Sequence, residues 1–201
     1  MTTLHDNTDS GNCYKVRLAL VQLGQRFQRI EYDTDHGATR TPTFLAKNPN
    51  GRVPVLELDD GTCLAESDAI LWYLAEGTAL LPADRLERAR VLQWMFFEQY
   101  SHEPYVAVVR HWVKHKLIDA AREAQLPERR AKGIAALDVM ERHLTSRRFF
   151  VGERYSIADI ALYAYTHVAH EGDFDLASYP AIRAWLDRVR TQPGHVSIDD
   201  A

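Results

Sequence analysis

Asp9-Ser10-Gly11-Asn12-Cys13 puts a hydroxyl, a carboxamide and a thiol close together, just ahead of an apolar-periodic segment. At a helix start the free backbone amides and the helix dipole favour an anion, and a hydroxyl donor adds to that preference. Ser10 also reads as an ordinary N-cap. The spacing of Ser10 and Cys13 is that of a thioredoxin-type cysteine pair with serine in the first, nucleophilic place, which excludes a two-thiol redox cycle. Cys13 is then either a low-pKa thiol at a helix N-terminus or a small buried residue of the first turn.

A second group lies in Asn48 to Leu74, NPNGRVPVLELDDGTCLAESDAILWYL. Pro54 interrupts a strand-forming run, so it belongs at an edge or a strand start, and a cis peptide accommodates it. Beside that corner Val53 keeps backbone N–H and C=O groups outside the ladder, where a peptide-like ligand pairs as an added strand would. At the next helix start the amides of Ser67 and Asp68, with the Ser67 hydroxyl, form a carboxylate site. Taken singly, these are a kink and a cap. His111 with His115, and His167 with His170, have helical spacing but lack the acidic or cysteine partners of a metal site, so they read as solvated histidines. No Walker loop, GxGxxG or hydrolase triad signature is present.

These groups need elements to hold them. Residues 1 to 9 are polar apart from Leu4 and barely signal a strand. Val16, Ala19, Leu20 and Leu23 share a helical face closed by Gly24, and Phe27 to Tyr32 alternates as a strand, which gives a βαβ unit. Residues 34 to 43 read as a loop or short irregular helix. Val53 to Leu58, a turn at Asp59-Asp60-Gly61 and Cys63-Leu64 make a hairpin that feeds a helix carrying Ile70, Leu71 and Leu74. That order is a thioredoxin-like α/β domain over residues 1–77. Leu81-Pro82-Ala83 reads as a linker to an all-helical domain over 84–201. There, Asp84 to Lys116 is divided or kinked at Pro104, and residues 128–145 place Ile134, Leu137, Met140 and Leu144 on one stripe. Ser156 and Asp159 stand at capping-box spacing before a nearly all-apolar central helix, and Tyr179-Pro180 opens the last one.

RVPVLEL and LAESDAI together closely resemble the glutathione-binding segment of glutathione transferases, and SIADI resembles the capping motif of their C-terminal domains. The resemblance implies that Val53 pairs with the cysteinyl backbone of glutathione, that Pro54 is cis, and that Glu66 and Ser67 hold the γ-glutamyl end. Arg40 and Arg52 join that set, although many members carry Gln where this chain has Arg52. It further implies activation of the glutathione thiol, whose unperturbed pKa of about 8.5 leaves it mostly protonated at neutral pH. Ser10 matches the activating Ser or Thr of phi-like, theta-like and related bacterial members, and Asn12 the Asn of the nu-like type. Helices of the second domain face the thiol in such proteins, which makes Tyr105, Val109 and Trp112 the candidate electrophile site, with Tyr100 nearby. Glutathione is thus the expected co-substrate, a small hydrophobic electrophile its partner, detoxification the setting and a homodimer the assembly, with Leu71 to Leu74 and Leu92 to Phe96 offering apolar surface. Two readings stay open beside it. One is a disulfide reductase using the thiol of glutathione itself, and the other is a non-catalytic binding protein of the same fold.

With 24 Lys plus Arg against 28 Asp plus Glu, the net charge of -4 and the lack of a basic tract argue against a nucleic-acid partner. Cys13 and Cys63 make no disulfide framework, and neither an apolar h-region nor a spanning segment is seen. A cytoplasmic protein without metal or membrane partner is the expectation.

Overall fold

The computed structural model describes residues 1–200. The chain divides into two compact units, Met1–Thr78 with the tail from Pro193 onward, and Ala79–Gln192. The tail departs from the expected helical domain over 84–201. The Tyr14 hydroxyl donates to the Val196 carbonyl at 2.7 Å and Arg17 Nη2 to the Ile198 carbonyl at 2.8 Å, so the tail belongs with the first unit.

In the first unit the elements are β1 (Thr3–Asp6), α1 (Gly11–Gln22), β2 (Gln28–Glu31), a 3-10 turn (Ala38–Arg40), α2 (Pro42–Lys47), β3 (Val55–Glu57), β4 (Cys63–Ala65) and α3 (Ser67–Ala75). The sheet runs β2-β1-β3-β4, with β1 parallel to β2 and antiparallel to β3. This is the expected thioredoxin-like order. The first strand is poorly marked in sequence because two of its buried residues are polar. His5 satisfies both ring nitrogens, at 2.7 Å from Glu57 Oε2 and 3.1 Å from the Tyr32 hydroxyl, and Asp6 is held by Arg17 and Arg29 at 2.7 and 2.6 Å. Gly24 ends α1 at φ 65°, a left-handed conformation that glycine adopts without penalty. Residues 34–43 hold the 3-10 turn and the start of a regular helix, α2, which runs through Phe44 and is started by Pro42 and by Thr41, whose hydroxyl accepts from the Phe44 amide at 3.3 Å. Helices α1 and α3 pack together, burying Val16, Leu20, Ile70, Leu71 and Leu74. Leu71 and Leu74 are therefore core, and the apolar side chain that α3 leaves exposed is Tyr73.

The second unit comprises α4 (Arg85–Phe97), a π turn (Glu98–His102), α5 (Glu103–Lys114), α6 (Ala120–Leu144), α7 (Ile157–Thr166), a 3-10 turn (Ala169–Gly172) and α8 (Pro180–Arg190). The chain divides near Pro104 as expected. The wide turn comes before it, and Pro104 sits in the first turn of α5, where its missing N–H costs nothing. Helix α6 begins earlier than the expected 128, because Asp119 caps it by accepting from Arg122 N at 2.8 Å and the helix runs through Pro127 on an exposed face. Its buried face is Gly133, Ala136, Leu137, Met140 and Leu144, while Ile134 is 47% exposed. Gly133 is required there, since a Cβ would lie 2.6 Å from Phe174. All ten residues of α7 are buried, and α4, α5 and α8 pack on it.

Candidate active site

Two helix starts, both in the first unit, carry the chemistry. The loop from β1 delivers Ser10, whose amide donates to the Asn7 carbonyl at 3.0 Å and whose extended backbone makes it the N-cap of α1. Its Oγ accepts from the Cys13 amide at 3.3 Å. A hydroxyl that accepts through a lone pair keeps its proton to donate, so cap and anion donor are compatible roles. Ser10 and Asn12 are partly exposed, whereas Cys13 is fully buried. Burial pushes the Cys13 thiol well above its ordinary value, and the nearby Asp6 carboxylate adds to the rise. Of the two readings of Cys13, the low-pKa thiol is thereby overturned. Cys63 is half-buried in β4, with Sγ 3.7 Å from the Gly61 carbonyl.

At the second start, Glu66 takes φ 68° and ψ 113°, a left-handed backbone that a non-glycine residue holds at a cost of about 1–3 kcal/mol. Glu66 occupies the N-cap position and its side chain does not cap, so the start of α3 keeps its amides unblocked by any side chain. Ser67 is thus inside the first turn, not a plain cap. Its hydroxyl, buried, donates to Asn12 Oδ1 at 3.3 Å and receives Lys15 Nζ at 3.4 Å. Lys15, fully buried, also meets Asp68 Oδ1 at 3.2 Å. Burial raises the Asp68 carboxyl against the pull of Lys15. These contacts brace the two helix starts against each other.

The proline corner lies alongside. The Val53-Pro54 peptide is cis, and β3 begins only at Val55, so the Val53 backbone lies outside the ladder. Asn48 shapes the corner, donating from Nδ2 to the Arg52 carbonyl at 2.7 Å and accepting from Asn50 N at 3.0 Å. Arg40 donates to the Asn50 carbonyl at 3.0 Å and lies over Gly51, whose Cβ would fall 2.5 Å from Arg40 Nη1. Arg52 is exposed and forms no ion pair among the described residues.

The α5 candidates are placed differently from one another. Val109 is fully buried and presents no surface to a ligand. Tyr105 and Trp112 are partly exposed and met by cations of α6, Lys132 at 5.3 Å from the Tyr105 ring centre and Arg129 at 4.8 Å from that of Trp112. Among the histidines, His102 is fully buried against the Thr166 hydroxyl at 3.0 Å and His167, half-buried, stacks on Tyr163 at 4.5 Å, whereas His111 and His170 are exposed, as read from the sequence. No cluster of three or more His, Cys, Asp or Glu suited to a metal occurs among the described residues. Nor is any helix among them long and apolar enough to cross a membrane.

Sequence reasoning missed Lys15 and Arg17. The signal was there: two cations interrupt an apolar helix, and only buried carboxylates such as Asp6 and Asp68 make that tolerable.

Comparison with known proteins identifies the family and the fold. Residues 9–76 match the family model "Glutathione S-transferase, N-terminal domain", and residues 94–193 match "Glutathione S-transferase, C-terminal domain". A solved glutathione S-transferase from Pseudomonas fluorescens is 52% identical, with a TM-score of 0.97 and 99% of each chain covered. Among curated relatives, the maleylacetoacetate isomerase of Rhizobium meliloti is 35% identical over 93% of this chain and 90% of its own. The disulfide-bond oxidoreductase YfcG of Escherichia coli is 32% identical over 90% and 87% respectively. With both family models matched in order along the chain, the protein belongs to the glutathione S-transferase family.

Proposed function

We propose that the chain is a cytoplasmic glutathione transferase that conjugates the glutathione thiolate to a small hydrophobic electrophile. The observation that carries this reading is the brace between the two helix starts, Ser67 Oγ to Asn12 Oδ1 with Lys15 beneath, which brings an anion-favouring turn at Ser10 next to a carboxylate-favouring turn at Ser67. In the proposed pose the amides of Ser67 and Asp68 bind the γ-glutamyl carboxylate, with Glu66 beside them, and the single Ser67 hydroxyl proton turns from Asn12 Oδ1 to that carboxylate on binding, while the Val53 backbone pairs with the cysteinyl residue. Ser10 stabilises the sulfur anion. Arg40 supports the corner, and Arg52 is a flanking cation. No metal enters this chemistry.

Ser67→Ala is expected to weaken glutathione binding by about 1 to 3 kcal/mol, the range for a hydrogen bond to a charged group. Calorimetry measures it, and an unchanged affinity rejects the placement.

A second reading is disulfide reduction through the glutathione thiol, favoured by the relative named as a disulfide-bond oxidoreductase. Buried Cys13 takes no part in it. Parallel assays with an aryl halide and with a small disulfide separate the two.

We also propose a homodimer, for which Phe96 at 68% and Tyr100 at 84% exposure offer apolar surface in the second unit, and Tyr73 in the first. Sedimentation at micromolar concentration is expected to give twice the chain mass, and a monomer would reject the proposal.

A further inference from the structure

The Ser10 turn is held from behind by a buried guanidinium. Arg17, 2% exposed on α1, donates from Nη1 to Asp6 Oδ1 at 2.7 Å and to the Asn7 carbonyl at 3.4 Å. Its Nη2 donates to the Thr8 carbonyl at 2.9 Å and, across to the tail, to the Ile198 carbonyl at 2.8 Å. The Asn7 carbonyl is the same oxygen that accepts the Ser10 amide at 3.0 Å. Asp6 Oδ1 also takes the Asn7 amide at 2.8 Å, while Arg29 holds Asp6 Oδ2 at 2.6 Å and Thr8 Oγ1 at 3.0 Å. Asn7 and Thr8, in the loop that leads to Ser10, are thus fixed by charged groups, and one of those groups is anchored on the chain's own tail.

Burying a guanidinium is costly, and for stability alone an apolar side chain on this face of α1 would serve as well. What the planar fork adds is direction, because it spans two loop carbonyls and a tail carbonyl at once, which a lysine ammonium does not do. Hydrogen bonds weaken steeply with angle and distance, so a small drift of this loop would misdirect the Ser10 hydroxyl. We propose that Arg17 is a positioning residue for the anion-stabilising hydroxyl of Ser10, and that the tail segment at Val196–Ile198 is part of its support. The proposal rests on the reading of Ser10 given above.

The test titrates the ultraviolet absorbance of the bound glutathione thiolate against pH in the full chain, with affinity from calorimetry and melting temperature measured alongside. Arg17→Lys is expected to raise the apparent pKa of the bound thiol by about one unit, roughly a tenfold loss of thiolate at neutral pH. Glutathione affinity should stay within about threefold. Combined with Ser10→Ala it should cause no further rise, because Arg17 acts only through that hydroxyl. A lower melting temperature with an unchanged thiol pKa would mean a merely structural role and overturn the proposal, as would a rise that adds to that of Ser10→Ala. If Arg17→Lys does not fold, Tyr14→Phe decides, since it loosens the tail at Val196 without disturbing the buried charge. An upward shift is expected there too, and its absence overturns the proposal. Should Ser10→Ala alone leave the bound thiol unshifted, the Ser10 reading itself falls and this proposal with it; a shift with Ser10→Ala but none with folded Arg17→Lys rejects the proposal alone.

Discussion

Ser10→Ala is expected to slow conjugation at neutral pH by about tenfold to a hundredfold while leaving glutathione affinity nearly unchanged. One hydrogen bond to a charged acceptor is worth about 1.5–3 kcal/mol, and each 1.4 kcal/mol is a factor of ten in thiolate population or rate. The bond is stronger to thiolate than to thiol, so its loss raises the thiol pKa and lowers kcat/KM without removing ground-state binding. The defect should shrink as pH rises above the thiol pKa of the variant, because there the thiolate forms without help. Asn12 is the alternative donor. Only its amide nitrogen can donate to an anion, and a larger loss in Asn12→Ala than in Ser10→Ala would transfer the role to it. Cys13→Ala should cost little, since the thiol is buried and its pKa raised. An abolished activity in that variant, with a mixed disulfide detected by mass, would make the chain a thiol-transfer enzyme.

The parts of this site that could be read from sequence are those whose physics is local. A proline inside a strand-forming run announces the Val53 corner, and a polar pair before an apolar helix announces the start of α3, because turn and cap preferences act over a few residues. The parts that could not be read depend on distant partners. Strand β1 looks polar until Glu57 and Tyr32 satisfy His5, and Arg17 and Arg29 satisfy Asp6. The tail looks like the end of a helical domain until Tyr14 and Arg17 claim its carbonyls. Val109 stands among the three candidates for the electrophile site, but the packing of the helical unit buries it completely. In each case burial, which a periodicity argument cannot assign residue by residue, decides the outcome.

Asp159→Ala is expected to destabilise the helical unit by about 3 to 5 kcal/mol, beyond the 0.5–2 kcal/mol of an ordinary cap. The capping box foreseen from Ser156 and Asp159 is formed, with the Ser156 amide donating to Asp159 Oδ2 at 2.9 Å. The same carboxylate also accepts the Ser156 hydroxyl at 3.2 Å, the Phe150 amide at 3.2 Å and the Trp185 indole at 2.9 Å. Alanine would leave buried donors without an acceptor, each at a cost of about 1–3 kcal/mol. Burial pushes the Asp159 carboxyl up to about 6, against the pull of Trp185 and the backbone donors. An acid whose pKa is raised by folding holds its proton in the folded state while the unfolded chain has already lost it. Its contribution to stability is therefore greatest below about pH 4, falls as pH rises towards about 6, and is flat above; at about 1.4 kcal/mol per unit the change is at most about 3 kcal/mol. Other carboxylates have the opposite slope, Glu57 for one, held down by Lys47 and His5. The wild-type profile alone is thus a sum, and the informative quantity is its difference from Asp159→Asn, which cannot ionise. Urea unfolding of both proteins across that range should show the wild type losing its advantage over the variant as pH rises. Parallel profiles would show that burial leaves this carboxyl at its ordinary value, and a loss below about 1 kcal/mol in Asp159→Ala would show that the four donors find other acceptors.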